Sequence, residues 1–256
     1  MLFSQKVGTG PEGVVLLHGF MGSGRNLRTL AQKWAALDPS LFFLMMDLTG
    51  HGRSPALPAG ADPSTLAADV LRTARAEGIE GKLRVVGHSL GGRVGLQMIL
   101  DTPAEVEEVV ILDVPPGPID PARVETGEVL AIYRGAPASA PSRDEMRAYF
   151  HSRGLSTGLT EWLLTSLVRG ESGYVWQVDR EALAALHART SAADLWGAIG
   201  GDVPVRLIRG GASPFVTEED VRRLESLGVS VETVEGAGHY LNATHPDEVA
   251  RLLKVR

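Results

Sequence analysis

Short apolar runs recur along the chain at residues 14–17, 41–46, 83–86, 109–112, 205–208 and 229–234, and each gives way within two residues to glycine or aspartate. Most are apolar at consecutive positions rather than at every second one, the pattern of a strand covered on both faces. Helical spacing of apolar residues fills the gaps, at residues 26–37, 63–77, 92–100, 220–227 and 247–254, the second opening on Pro63. Strand and helix in alternation predict an α/β chain with a doubly wound, mostly parallel sheet. With 256 residues, 44% of them hydrophobic, the chain is long enough for one sizeable core.

The alternation breaks between residues 115 and 200. Prolines cluster there (Pro115, Pro116, Pro118, Pro121), and helical segments follow one another without strong strands. Ser142 to Glu145 has the form of a capping box, residues 160–168 are amphipathic, and Asp179 suits the cap of the next helix. Only residues 174–178 hint at a strand. This block reads as a helical cap inserted over the strand ends, dividing the core into 1–114 and 201–256. An ordinary run of core helices is the plainer alternative.

Composition narrows the chemistry. A net charge of −6, with no long run of like charge, argues against a nucleic-acid partner. Cysteine is absent, which removes disulfides, thiolate nucleophiles and Cys-ligated zinc together. Neither a signal-peptide pattern at the start nor an apolar run long enough to span a bilayer is present, so a soluble, cytoplasmic chain is expected, without metal or cofactor.

"VVGHSLGG" at residues 85–92 raises the functional question: why does a chain place one serine between glycines, directly after a buried strand? Gly87-His88-Ser89-Leu90-Gly91 fits the nucleophile elbow, a turn so tight that side chains two positions either side of the serine would collide. The serine then projects at a helix N-terminus, whose free N–H groups face the same point. Serine needs a base. Among seven histidines, His239 in "EGAGHYLNATHP" follows the last strand between small residues. His18, His51 and His88 suit local packing, and His245 a helix entry. The base needs an orienting carboxylate, and Asp113, at the end of "VVILDVPP", is the candidate. If its strand neighbours the elbow strand, the two tips lie about 5 Å apart. Glu218, Glu219 and Asp220 are the rivals, though they suit the start of a helix. The oxyanion hole is assigned to the backbone N–H groups of Phe20, after the His18-Gly19 turn, and Leu90.

These residues resemble the α/β-hydrolase superfamily, through "HGFMGS", "DLTGHGRSP", "VVGHSLGGRVGLQMIL", "LVRGESGYVWQVD", "GGASPFV" and "GAGHYLNATHP". Within it the chain is similar to the small YbfF-type esterases and thioesterases. The resemblance implies a Ser–Asp–His triad with the acid after the sixth strand, in line with Asp113, and a cap over the site. It also implies substrates that are small-molecule acyl esters or thioesters. Only residues 2–7 can precede the first apolar run, so the leading hairpin of that fold must be reduced. Met21, Trp162 and Trp176 are the candidate pocket residues, with Tyr174 and Trp196 as further aromatics of the insertion. The insertion carries eight arginines against ten acids, no cationic patch for a coenzyme A tail, so a thioester substrate rests on the resemblance alone. A carbon–carbon hydrolase or lyase of the menaquinone-pathway type, a cofactor-free haloperoxidase and a non-catalytic receptor remain as alternatives.

Overall fold

The computed structural model describes residues 1–120 and 126–254; Pro121, the last of the proline cluster, lies outside them. In chain order the strands are β1 (Ser4–Gly8), β2 (Glu12–Leu17), β3 (Leu41–Met46), β4 (Leu83–His88), β5 (Val106–Leu112), β6 (Ser139–Ala140), β7 (Leu167–Gly170), β8 (Gly173–Trp176), β9 (Val205–Gly210) and β10 (Ser230–Val234). The helices are α1 (Arg28–Leu37), α2 (Pro63–Ala76), α3 (Leu90–Asp101), α4 (Thr126–Arg134), α5 (Arg143–His151), α6 (Thr157–Leu164), α7 (Arg180–Ala192), α8 (Glu218–Ser226), α9 (Leu241–Thr244) and α10 (Pro246–Lys254).

Seven strands form one sheet in the order β1-β3-β2-β4-β5-β9-β10. All pair in parallel except β1, which runs antiparallel to β3 at the edge. Among the described residues a single strand, β1, precedes β2. Successive residues of each inner strand enter opposite cores. Val15, Leu17, Val85, Val109 and Ile111 pack with α2, α3 and α8. Val14, Leu16, Val86, Val110 and Leu112 pack with α1 and α10. That is why the strands read as unbroken apolar runs: each face has its own helical cover.

Register decides where function sits. Leu17 pairs with Met46 and Gly87, His88 with Leu112, and Leu112 with Ile208. The carboxyl ends of β2, β4, β5 and β9 therefore share one edge, the edge at which open α/β sheets bind ligands.

Residues 126–199 add α4 to α7 and a three-stranded antiparallel sheet, β6-β8-β7. The segment is less purely helical than its sequence suggests, and the difference has a local cause. The amphipathic run at 160–168 ends as a helix at Leu164, because Thr165 Oγ1 and Ser166 Oγ donate to the Trp162 and Leu163 carbonyls. Leu167 then opens a hairpin with β8. Elsewhere the cap signals hold in whole or in part: Ser142 accepts from the Glu145 N–H without, among the described residues, the reciprocal bond of a capping box, and Asp179 accepts from those of Glu181 and Ala182. Tyr133, Met146, Phe150 and Leu163 make a third core, and Met21 of the main body inserts into it.

Candidate active site

Ser89 stands between β4 and α3 with φ 51° and ψ −113°, a backbone conformation that L residues rarely hold. The flanking glycines make the turn sterically available. A Cβ on Gly87 would lie 2.2 Å from the Gly91 carbonyl carbon, and one on Gly91 2.4 Å from the Leu17 carbonyl oxygen. Any side chain at either position would push helix and strand apart.

Asp113 follows β5, next to β4 in the sheet, and also has positive φ, 54°. Its carboxylate is fully buried and held on three sides. Gly210 N–H donates to Oδ1 at 2.9 Å, Ser213 Oγ donates to Oδ2, and His239 Nδ1 lies 2.7 Å from Oδ2. His239 arrives from the loop after β10, and its ring stacks flat on Phe215, with centroids 3.6 Å apart and planes 10° from parallel. With Nδ1–H directed at Asp113, the other ring nitrogen, Nε2, is left for a proton to be taken or given. His88 anchors this loop: its Nε2–H donates to the His239 carbonyl at 2.8 Å.

Ser89 and His239 line one cavity of about 500 Å³. No hydrogen bond joins them among the described residues.

The turn after β2 completes the chamber. Gly22 N–H bonds the Gly19 carbonyl at 3.1 Å, and Met21 takes the left-handed conformation (φ 58°). A Cβ on Gly19 would meet His88 Nδ1 at 2.7 Å and Ser89 Cβ at 3.3 Å, so glycine lets this turn close on the elbow. Among the described residues, neither the Phe20 nor the Leu90 backbone N–H is taken by another group. Leu90, the first residue of α3, has no intrahelical acceptor for its N–H.

The other histidines differ in kind. Burial pushes His18 down to about 4 and His51 to about 3, and holds His88 well below 6.5. All three stay neutral near pH 7. His18 accepts from the Leu48 N–H at 2.9 Å while its Nδ1 meets the Gly19 carbonyl, which ties two site loops together. His245 ends α9 just before α10, and Glu218 to Asp220 open α8 behind the Thr217 cap; among the described residues none of the three bonds His239.

Of the candidate pocket residues, Met21 and Trp162 line the cavity. Trp162 Nε1 donates to the Phe20 carbonyl at 3.2 Å, which lays its ring over the glycine turn. Trp176 does not line it. Its ring packs on Tyr133 and Phe150, and its Nε1 bonds the Pro137 carbonyl. β8 turns that face toward the third core, a pairing that spacing alone does not reveal. Tyr174 and Trp196 also lie off the cavity wall.

Four side chains at the site escaped the sequence reading. Ser213 and Phe215 lie in "GGASPFV", a stretch without a carboxylate; His187 lines the cavity from α7. Arg93, one turn into α3, is buried and donates to the carbonyls of Pro115, Gly117, Thr190 and Ala193, the two stems of the segment after β5. A buried arginine just after "HSLGG" is a legible signal, but its partners are not.

Comparison with known proteins agrees with this architecture. The family model described as Alpha/beta hydrolase family matches residues 14–252. Esterase YbfF of Escherichia coli is 28% identical over 245 residues, covering 94% of this chain and 91% of that protein. The sn-1-specific diacylglycerol lipase ABHD11 of Xenopus laevis is 27% identical, covering 90% and 74%. Among solved structures, one titled marine microorganism esterase superposes with a TM-score of 0.86 at 25% identity, covering 98% of this chain and 97% of its own.

Proposed function

The chain belongs to the alpha/beta hydrolase family, and from that premise we propose that it is a serine esterase acting on small acyl esters through Ser89, His239 and Asp113. The observation that carries the reading is the 2.7 Å contact of His239 Nδ1 with Asp113 Oδ2 at the wall of the cavity that Ser89 also lines. Relatives named as esterases and a lipase support the same class of reaction.

In this mechanism His239 Nε2 takes the Ser89 proton as Oγ attacks the acyl carbon. The carbonyl oxygen gains the negative charge and is met by the Phe20 and Leu90 N–H groups, each such donor being worth roughly 10²–10³ in rate. The imidazolium is stabilised by Asp113 and gives its proton to the leaving oxygen, which departs as the alcohol. Water then repeats the sequence on the acyl-enzyme: His239 takes its proton, the hydroxide oxygen bonds to the acyl carbon, and Ser89 leaves reprotonated with the acid as product. We assign residues 115–200 as the cap that closes this chamber, with Met21 and Trp162 facing the substrate. A thioester carries the same carbonyl and would follow the same steps.

The test is hydrolysis of 4-nitrophenyl esters of increasing chain length, and of matched thioesters, together with fluorophosphonate labelling. Wild type should turn over and label at Ser89; Ser89→Ala should do neither, and Asp113→Asn should lose several orders of magnitude in kcat. Wild-type rates in Ser89→Ala end the proposal, and wild-type rates in Asp113→Asn move the acid elsewhere.

A further inference from the structure

One wall of the cavity is left over once the chemistry of Ser89, His239 and Asp113 is accounted for. There α7 presents His187, Thr190 and Ser191, at the i, i+3, i+4 spacing that gathers side chains on one helical face. Much of the remaining lining is apolar, from Met21, Ile119, Val129, Leu159 and Trp162. Thr190 is satisfied internally: its hydroxyl donates to the Leu186 carbonyl at 3.0 Å, and its carbonyl accepts from Arg93 at 2.8 Å. His187 and Ser191 are not so well served. The hydrogen bond between them, Nε2 to Oγ at 3.4 Å, is at the long limit for such a contact.

The His187 ring lies against Phe20, with centroids 4.6 Å apart, which puts it in the chamber of the proposed oxyanion hole. Burial, then the nearby Arg93 charge, pushes its imidazole down to about 4, so near pH 7 it presents one donor and one acceptor nitrogen. Both side chains are half-buried and face the cavity, so their remaining hydrogen-bonding capacity is open to a ligand.

We infer that His187 and Ser191 form a recognition point for a second oxygen on the substrate, a carbonyl, ether or hydroxyl away from the scissile bond. The substrate class is then oxygen-bearing esters rather than plain alkyl esters. The inference rests on the serine-esterase reading and deepens it.

The test compares 4-nitrophenyl hexanoate with its oxo and methoxy counterparts, the oxygen stepped along the acyl chain, and butyl butanoate with its hydroxyalkyl counterparts. The quantity read is the ratio of kcat/KM for each oxygenated ester to that of its alkyl parent, in wild type, His187→Leu, His187→Asn and Ser191→Ala. At least one ratio in wild type should be roughly threefold to tenfold, the worth of one hydrogen bond. His187→Leu should bring that ratio to about one, and His187→Asn should keep part of it. Because each variant is compared with itself, a general loss of activity does not imitate the effect. Ratios at or below one throughout the wild-type series, or a preference unchanged in both His187→Leu and Ser191→Ala, overturn the inference. Failure of the underlying reading looks different: Ser89→Ala would then hydrolyse the alkyl parents at the wild-type rate.

Discussion

Replacing Arg93 with methionine removes the hydrogen bonds by which one side chain ties the elbow helix to both stems of the segment 115–200. Its Nε donates to the Thr190 carbonyl and Nη1 to those of Pro115 and Gly117, each at 2.8 Å, while Nη2 donates to that of Ala193. Hydrogen bonds from a charged donor contribute about 1.5 kcal/mol each at the low end of their range. Against the four stands the cost of keeping a guanidinium in the interior. Burial pushes its pKa down from 12.5 to about 10, a shift that corresponds to about 3 kcal/mol. The arginine therefore contributes about 3 kcal/mol net, and truncation adds the cost of leaving buried carbonyls without donors, so Arg93→Met should destabilise by about 3–5 kcal/mol. At about 2–4 °C per kcal/mol for a domain of this size, the midpoint of thermal unfolding should fall by roughly 10 °C. Hydrogen exchange should quicken first at the Gly117 and Ile119 amides and at residues 187–195, because the lost bonds all end beside them. Arg93→Lys keeps a charge but not the fork, and should recover only part of the loss. A midpoint within about 2 °C of wild type, or faster exchange spread evenly over the sheet, would refute the view of Arg93 as the clamp on these stems.

Gly91→Ala places a methyl 2.4 Å from the Leu17 carbonyl oxygen, a backbone atom that cannot step aside; expression trials should show an insoluble chain, or circular dichroism a folded one with the esterase activity lost. Normal activity in that variant would mean the elbow can open. Ser213→Ala removes one donor to Asp113 Oδ2 and leaves those of Gly210 and His239. A roughly 3- to 30-fold fall in kcat is expected from the loss of one hydrogen bond on the carboxylate that orients His239. An unchanged kcat would leave Ser213 without influence on the pair. Acid should unfold the protein early. His18 and His51 are held neutral by burial, at about 4 and about 3, and unfolding frees them to protonate at the ordinary value of 6.5. The unfolded chain therefore binds more protons as pH falls from 6.5 toward 4, and each histidine removes about 1.4 kcal/mol of stability per pH unit in that window. Urea midpoints that are equal at pH 7 and pH 5 would contradict this.

Much of the frame was legible in one dimension. An unbroken apolar run such as residues 41–46 has a single economical explanation, a strand buried on both faces, and β3 has those bounds. Gly87 and Gly91 announced the tight turn because no other residue can stand there. Where local and distant influences competed, the pattern misled. Residues 165–168 look helical by spacing, yet Thr165 and Ser166 bond back to the helix they leave, and the chain enters a hairpin. Trp176 is aromatic in the right region, but the pairing of β8 with β7 and β6 turns it toward Tyr133.

By itself the order of residues determined most strands and helices of the main sheet, the tight turn at Ser89, and which chemical groups lie at the strand ends. These depend on burial periodicity and backbone sterics, which act within a few residues. Only the tertiary structure decided the neighbours: that the ends of β4, β5 and β9 lie side by side, that Ser213 and His239 meet the same oxygen of Asp113 from 100 and 126 residues away, and that Arg93 reaches two stems of a segment it does not belong to. Such contacts are set by how the two faces of the sheet are covered and in what order its strands pair. No local propensity encodes that order.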